Sequence, residues 1–372
     1  MYKMILRLKY INIALFVAIL TFAIFLRIFQ LDKIPLELFG DEIDIGLQAN
    51  SILKTGKDYF GNSFPVMFQS FAEGRLPVFI YSAVPFVGIF GLNEWGVRLT
   101  STFWAIASLV GIFLLAKQLF QKKIAFIVLI LMSISPWHIQ YSRQAGIETL
   151  ALLTIIIFAV WFFMLGIKNF KYLFLSAIFF GLAIYTYATA IVFVPFMIIE
   201  LILLSNRSLK LFGYPKLIFI AAVFLIVLIP YMGLYIQGRA EARFSNVALW
   251  SDKSLIDDIN IRRIRENSIL GQLFHNKLLV YSYEATGNYL KAISPEFLFF
   301  KGDPNLRHSV GGMGEFYLFE LFLIIFGFVY LIIYKPPYSK LILFWLLIAP
   351  IPSALTRDGG YHASRLILML PP

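Results

Sequence analysis

The chain has 372 residues, 60% hydrophobic and only 14% charged, with a formal net charge of +11; its mean hydropathy is +0.80. Soluble domains carry about 25% charged residues, so the composition excludes a water-soluble globule. With no cysteine there are no disulfides and no thiolate-bound metal.

Apolar runs of about 18 to 22 residues recur, enough to cross about 30 Å of hydrocarbon. The first, Ile11–Phe29, exceeds a signal-peptide core and lacks a small-residue cleavage site, so it is expected to stay as an anchor. Spans are then expected at Leu99–Phe120, Ile124–Tyr141, Thr149–Gly166 and Tyr172–Thr189, followed by Ile191–Leu204 and Leu217–Ile236. Phe316–Tyr334 and Leu341–Leu355 complete a set of nine. The fold class is therefore all-α, a single polytopic transmembrane bundle over residues 1–372 with about nine or more spans. The sequence stops at Leu370, Pro371 and Pro372 as another apolar run begins, which reads as a short protein or a fragment.

Lysine and arginine in short loops set the orientation. Lys3, Arg7 and Lys9 precede the first span; Lys117, Lys122, Lys123, Lys168 and Lys171 follow, and then Arg207, Lys210, Lys216, Lys335 and Lys340. If all are cytoplasmic, the nine spans alternate without conflict. The remaining apolar stretch, Leu76–Gly91, would invert every later loop if it crossed. It is also short and holds Pro77 and Pro85, so it is expected to be interfacial or re-entrant. The outer segments are then Leu31–Arg98, the Arg143–Glu148 turn, Gln237–Glu315 and Arg357–Arg365. The basic balance serves orientation and attraction to anionic membrane lipids, and no nucleic-acid motif accompanies it.

The cytoplasmic loops are too short for a nucleotide-binding domain and contain no glycine-rich phosphate loop. Activated substrates on the other face are mainly those carried on lipid phosphates. Transfer from such a donor needs a carboxylate to take the acceptor proton, and Asp41 or Glu42 at the mouth of the first span could do so. It also needs cations for the leaving phosphate, and Arg75, Arg143 and Arg365 lie on that side. Competing structural readings exist. Asp41 and Glu42 could start an amphipathic helix, Arg143 and Glu148 could cap the Thr149 span, and Arg75 could snorkel to headgroups. His138 is expected at the interface. His308 or His362 with Glu73 could ligate a divalent metal, and the sequence points to no other cofactor. Arg239, Arg243, Arg262, Arg263 and Arg265 form a basic concentration expected to cover the site.

Phe39-Gly40-Asp41-Glu42 resembles the Asp-Glu motif of the protein O-mannosyltransferases and lipid A aminoarabinose transferases, membrane glycosyltransferases of the GT-C fold. Glu73-Gly74-Arg75-Leu76-Pro77 resembles their segment in which a basic residue precedes prolines. Arg143 followed by Glu148 is similar to the second-loop pattern, and Asn93 to Leu99 to the entry into the next span. The resemblance covers most of the chain. It implies a polyprenyl-phosphate sugar donor, a protein, lipid or glycan acceptor, and inversion at the anomeric carbon. Asp41 becomes the base, Arg75 a phosphate contact and Glu148 a support, in the plasma membrane with the site facing outside. The chain departs from the pattern in carrying Glu148 where many relatives have Asp, and Arg75 where Lys or His is commoner. A transporter or flippase, or an inactive scaffold, is the alternative.

Overall fold

The computed structural model describes residues 2–70, 73–238, 247–266 and 268–372, leaving aside the side chains of 2–9, 73 and 270–272. Arg239 and Arg243 lie outside the described residues, as does the side chain of Glu73.

Helices dominate, because apolar runs in lipid must satisfy their backbone internally. Helix α1 (Tyr2–Ile28) leads to α2 (Gly40–Thr55), a two-stranded hairpin of β1 (Phe68–Ser70) and β2 (Glu73–Arg75), and α3 (Pro77–Phe90). The bundle continues with α4 (Glu94–Leu119), α5 (Lys122–Ile134), α6 (Pro136–Ser142), α7 (Thr149–Gly166), α8 (Phe170–Ala183), α9 (Ala190–Lys210) and α10 (Tyr214–Ile236). After α11 (Lys253–Arg265), α12 (Ile269–Phe274) and α13 (Lys277–Ala292) come α14 (Leu318–Tyr334), α15 (Ser339–Ile348), α16 (Ile351–Ala354) and α17 (Ala363–Leu366).

All nine expected spans are helical over most of their length, but they differ in reach. Five helices are long and apolar enough to cross a membrane, or six if the bent pair α5–α6 counts as one. That pair bends by 59°. Pro136 supplies no amide and restricts Ser135, whose hydroxyl instead accepts from the His138 amide at 3.4 Å. The expected span Tyr172–Thr189 ends as a helix at Ala183, and Ile184–Thr189 runs on as turns. Helix α3 has 14 residues, with Pro77 at its start and Pro85 inside. At about 1.5 Å per residue it is too short for a full crossing.

The core lies around α7, whose span is 78% buried, whereas α10 presents none of its residues as buried. A second apolar cluster, with Ile45, Phe68, Phe79 and Val97, glues α2, the hairpin and α3 onto α4. His138 is not interfacial. It is fully buried, with Arg27 Nη2 at 2.7 Å from Nδ1 and Ser108 Oγ at 2.8 Å from Nε2. A charge that deep needs such partners, and the Arg27–His138 contact ties α1 to α6.

Candidate active site

Helix α2 starts at Gly40, so Asp41, Glu42 and Asp44 fall in its first two turns. Spacing of three residues puts Asp41 and Asp44 on one face and Glu42 on another. The hairpin pairs Phe68 with Arg75 and Ser70 with Glu73, which brings Arg75 and Ser70 beside the Asp41–Asp44 face. The turn before α7 delivers Glu148.

Arg75 is the centre of this arrangement. Its Nη2 donates to Asp41 Oδ1 at 2.5 Å and its Nη1 to Glu148 Oε1 at 2.9 Å. Its Nε lies 3.0 Å from both Ser70 Oγ and Asp44 Oδ2. Burial works against this guanidinium, but Glu148, Asp41 and Asp44 together outweigh it and raise its pKa. Asp44 in turn accepts from Tyr59 Oη at 2.5 Å and Ser70 Oγ at 2.6 Å. Burial, then the bond to Asp44, pushes the Tyr59 phenol up to about 12.

Glu42 faces the other way. Its carboxylate meets Arg98 Nε at 3.1 Å and Nη2 at 3.3 Å, and it accepts from the amides of Ala145 and Phe39. Arg98 also donates to the carbonyls of Leu31, Pro35 and Glu37, so the pair pins the chain between α1 and α2. Arg143 likewise donates to the carbonyls of Leu26, Arg27, Phe29, Gln30 and Ile34, holding the exit of α1. Of the six residues expected at the site, Asp41, Arg75 and Arg365 line its cavity; Glu42, Arg143 and Glu148 do not, and Arg143 bonds to carbonyls at the end of α1 rather than to Glu148.

The cavity itself, of about 210 Å³, opens beside Asp41 and Arg75. Arg307, His362 and Arg365 close it from the far loops, and the unwound end of α8 supplies Tyr187, Ala188 and Thr189. Asp41 is the exposed member of the acidic cluster, its side chain 28% accessible against 3% for Asp44 and 0% for Glu148. Arg307 Nη1 stands 3.5 Å from Asp41 Oδ2 and its guanidinium lies 4.2 Å over the Phe39 ring. Arg365 Nη1 donates to Thr356 Oγ1 at 2.6 Å. Gly146 backs onto Asp41, where a β-carbon would come within 3.1 Å of Asp41 Cβ.

Sequence reasoning misses Asp44, Ser70 and Arg307, and it offers His308 and His362 only as metal ligands. The three-residue step from Asp41 to Asp44 was a legible signal. The arrival of Arg307 and His362 was not.

The sequence profile of the dolichyl-phosphate-mannose-protein mannosyltransferases matches residues 75–233. A comparison with curated proteins gives no match. Among solved structures, ArnT from Cupriavidus metallidurans bound to undecaprenyl phosphate aligns over 98% of this chain and 58% of its own, with TM-score 0.54 and 14% identity. The apo state of the same enzyme gives TM-score 0.56 at 13% identity, again over 98% and 58%. The fold is GT-C. The archaeal oligosaccharyltransferase AglB from Archaeoglobus fulgidus, with an inhibitory peptide and a dolichol-phosphate, aligns over 98% of this chain and 50% of its own, at TM-score 0.51 and 15% identity. The chain thus spans about half the length of the solved GT-C structures it matches.

Another AglB structure is in complex with Zn and sulfate. Here Asp303, His308 and His362 hold ligand atoms within 4.8 Å of one another, the one such group among the described residues. Asp303 Oδ2 already accepts from His308 Nδ1 and the Ala363 amide, both at 2.9 Å. Burial, then Arg365, His308 and Arg307, pushes the His362 imidazole down to about 2 and keeps it neutral. A dication at this spot would meet the same two guanidinium groups, while Asp41 and Glu42 are paired with Arg75 and Arg98. Two imidazoles and a carboxylate are nonetheless a donor set that could hold a divalent metal, and a neutral His362 suits it.

Proposed function

We propose that this GT-C chain transfers a sugar from a polyprenyl-phosphate-linked donor to an acceptor hydroxyl, with inversion, at the outer face of the plasma membrane. One observation carries the reading: the accessible carboxylate of Asp41 faces Arg307 and Arg365 across a single cavity. Arg75 holds Asp41 through Oδ1 and leaves Oδ2 toward the cavity. There Oδ2 takes the proton of the acceptor hydroxyl as its oxygen bonds to the anomeric carbon. The bond from that carbon to the phosphate oxygen breaks, and its electron pair leaves with the polyprenyl phosphate. Arg365 and Arg307 neutralise the charge that develops there. The neutral His362 adds a polar group without opposing cation charge.

The phosphate role expected of Arg75 passes to Arg307 and Arg365, because every nitrogen of Arg75 is held by Ser70 and three carboxylates. Glu148 supports Asp41 through that shared guanidinium. The undecaprenyl phosphate in ArnT and the dolichol-phosphate and peptide in AglB support a lipid-linked donor and a protein, lipid or glycan acceptor. The experiment incubates purified protein with a radiolabelled sugar on polyprenyl phosphate, using total membrane protein and lipid as acceptor. Wild type is expected to yield labelled product, and Asp41→Asn to lower its rate by about 10² to 10⁴. Equal turnover by the two proteins would remove Asp41 as base, and no transfer by wild type would favour a flippase or scaffold.

A further inference from the structure

Helices α7 and α9 start beside the catalytic cavity, whose lining includes Ile147 and Thr189. Their opposite ends meet around a second cavity of about 670 Å³. From Thr189 to Ser205 at about 1.5 Å per residue, the two cavities are on the order of 24 Å apart. They therefore face opposite leaflets.

The walls of this second cavity are apolar, with Met164, Leu204 and Leu343 among them, and no carboxylate lines it. Its rim carries Lys335 and Lys340, neither of which makes an ion pair among the described residues. Ser205 and Ser339 also line it. Each is 7% exposed, and neither hydroxyl has a hydrogen-bond partner among the described residues. Both hydroxyls open onto the cavity rather than being sealed in the packing, so each can donate to a ligand oxygen there. The first turn of α15, with Ser339 and Lys340, adds the positive end of a helix. The loop that brings the lysines to one rim has Lys335 and Tyr338 at φ 45° and 68°, left-handed positions that side chains disfavour.

We propose that this cavity binds the phosphate headgroup of an anionic phospholipid, with acyl chains along Met164, Leu204 and Leu343. Charge complementarity selects the ligand: two unpaired lysines, two free hydroxyls and a helix N-terminus converge with no acid to oppose an anion. The apolar walls distinguish a lipid from a free anion. This site is independent of the sugar-transfer reading, since it lies on the other side of the bundle and uses none of its residues.

Native mass spectrometry of the detergent-purified protein, titrated with phosphatidylglycerol or phosphatidylcholine of the same chains, tests it. One saturable phosphatidylglycerol is expected, held more tightly than phosphatidylcholine. Each lysine contributes a factor of about five near a membrane surface, so Lys335→Gln with Lys340→Gln should weaken binding by about 25-fold. Ser205→Leu, which fills the cavity with apolar volume, should weaken it as well. Unchanged phosphatidylglycerol affinity in the double variant would overturn the site, as would equal affinity for phosphatidylcholine. Displacement of the lipid by millimolar inorganic phosphate would mark a free-anion site and overturn the lipid assignment.

Discussion

Replacing Glu42 with Gln removes half of a fully buried ion pair and leaves Arg98 charged among carbonyls. Breaking such a pair costs about 3 to 5 kcal/mol, so Glu42→Gln should lower the thermal midpoint markedly. Asp41→Asn, at the more accessible neighbour, should lower transfer with little change in the midpoint. Two adjacent carboxylates are thus separable by which measurement moves, and a Glu42→Gln protein as stable as wild type would refute the pinning role. Glu315 offers a second test. Burial, opposed by the Asp303 amide that donates to it at 3.0 Å, pushes its carboxyl up from 4.5 to about 8. A raised folded-state pKa gives stability that is complete below about pH 4.5 and is lost as pH rises through about 8. Glu315→Gln keeps the acceptor oxygen and should flatten the fall in midpoint between pH 5 and 9, as a thermal scan at each pH would reveal. An identical slope in both proteins would remove Glu315 as its source.

Among the elements, the turn between α6 and α7 has the most exacting job. It threads Gly146 past Asp41 and presents Glu148 to Arg75 within three residues. A methyl group at Gly146 would press on Asp41 Cβ at 3.1 Å, tight enough that the carboxylate must shift. Small displacements of a reacting group are costly, so Gly146→Ala should lower turnover by about tenfold to 10² while donor affinity changes little. Unaltered turnover would show that the turn yields instead. The end of α8 works by a different principle. It abandons the helix at Ala183, and the resulting turns give the cavity a wall that a continuous helix would have carried past it.

For the whole molecule, the absence of cysteine makes single-cysteine labelling a direct probe of sidedness. Leu306, 73% exposed, and Leu211, 87% exposed, are accessible reporters at the two ends of the bundle. Leu306→Cys should react with an impermeant thiol reagent added to intact cells, and Leu211→Cys should not. Labelling of Leu211→Cys from outside would invert the proposed orientation. The same two ends of the bundle carry the two cavities, so this result also assigns each cavity to a leaflet.

Helix positions, membrane class and the gathering of charge around Asp41 were legible in the sequence, because hydrophobic length and local charge are properties of contiguous residues. Apolar runs had to become helices, and Pro136 had to bend one of them. The roles within the charged set were not legible. Asp41 and Glu42 are adjacent carboxylates in the sequence, and the helical step between them sends one to Arg75 and the other to Arg98. Arg143 sits in a motif with Glu148 yet bonds to α1, since an arginine next to open helix carbonyls finds acceptors there. Arg307 and His362 reach the Asp41 cavity from far along the chain, and long-range packing alone brings them. Local physics decided which residues could be charged at the rim of the bundle; the tertiary fold decided which of those charges face one another.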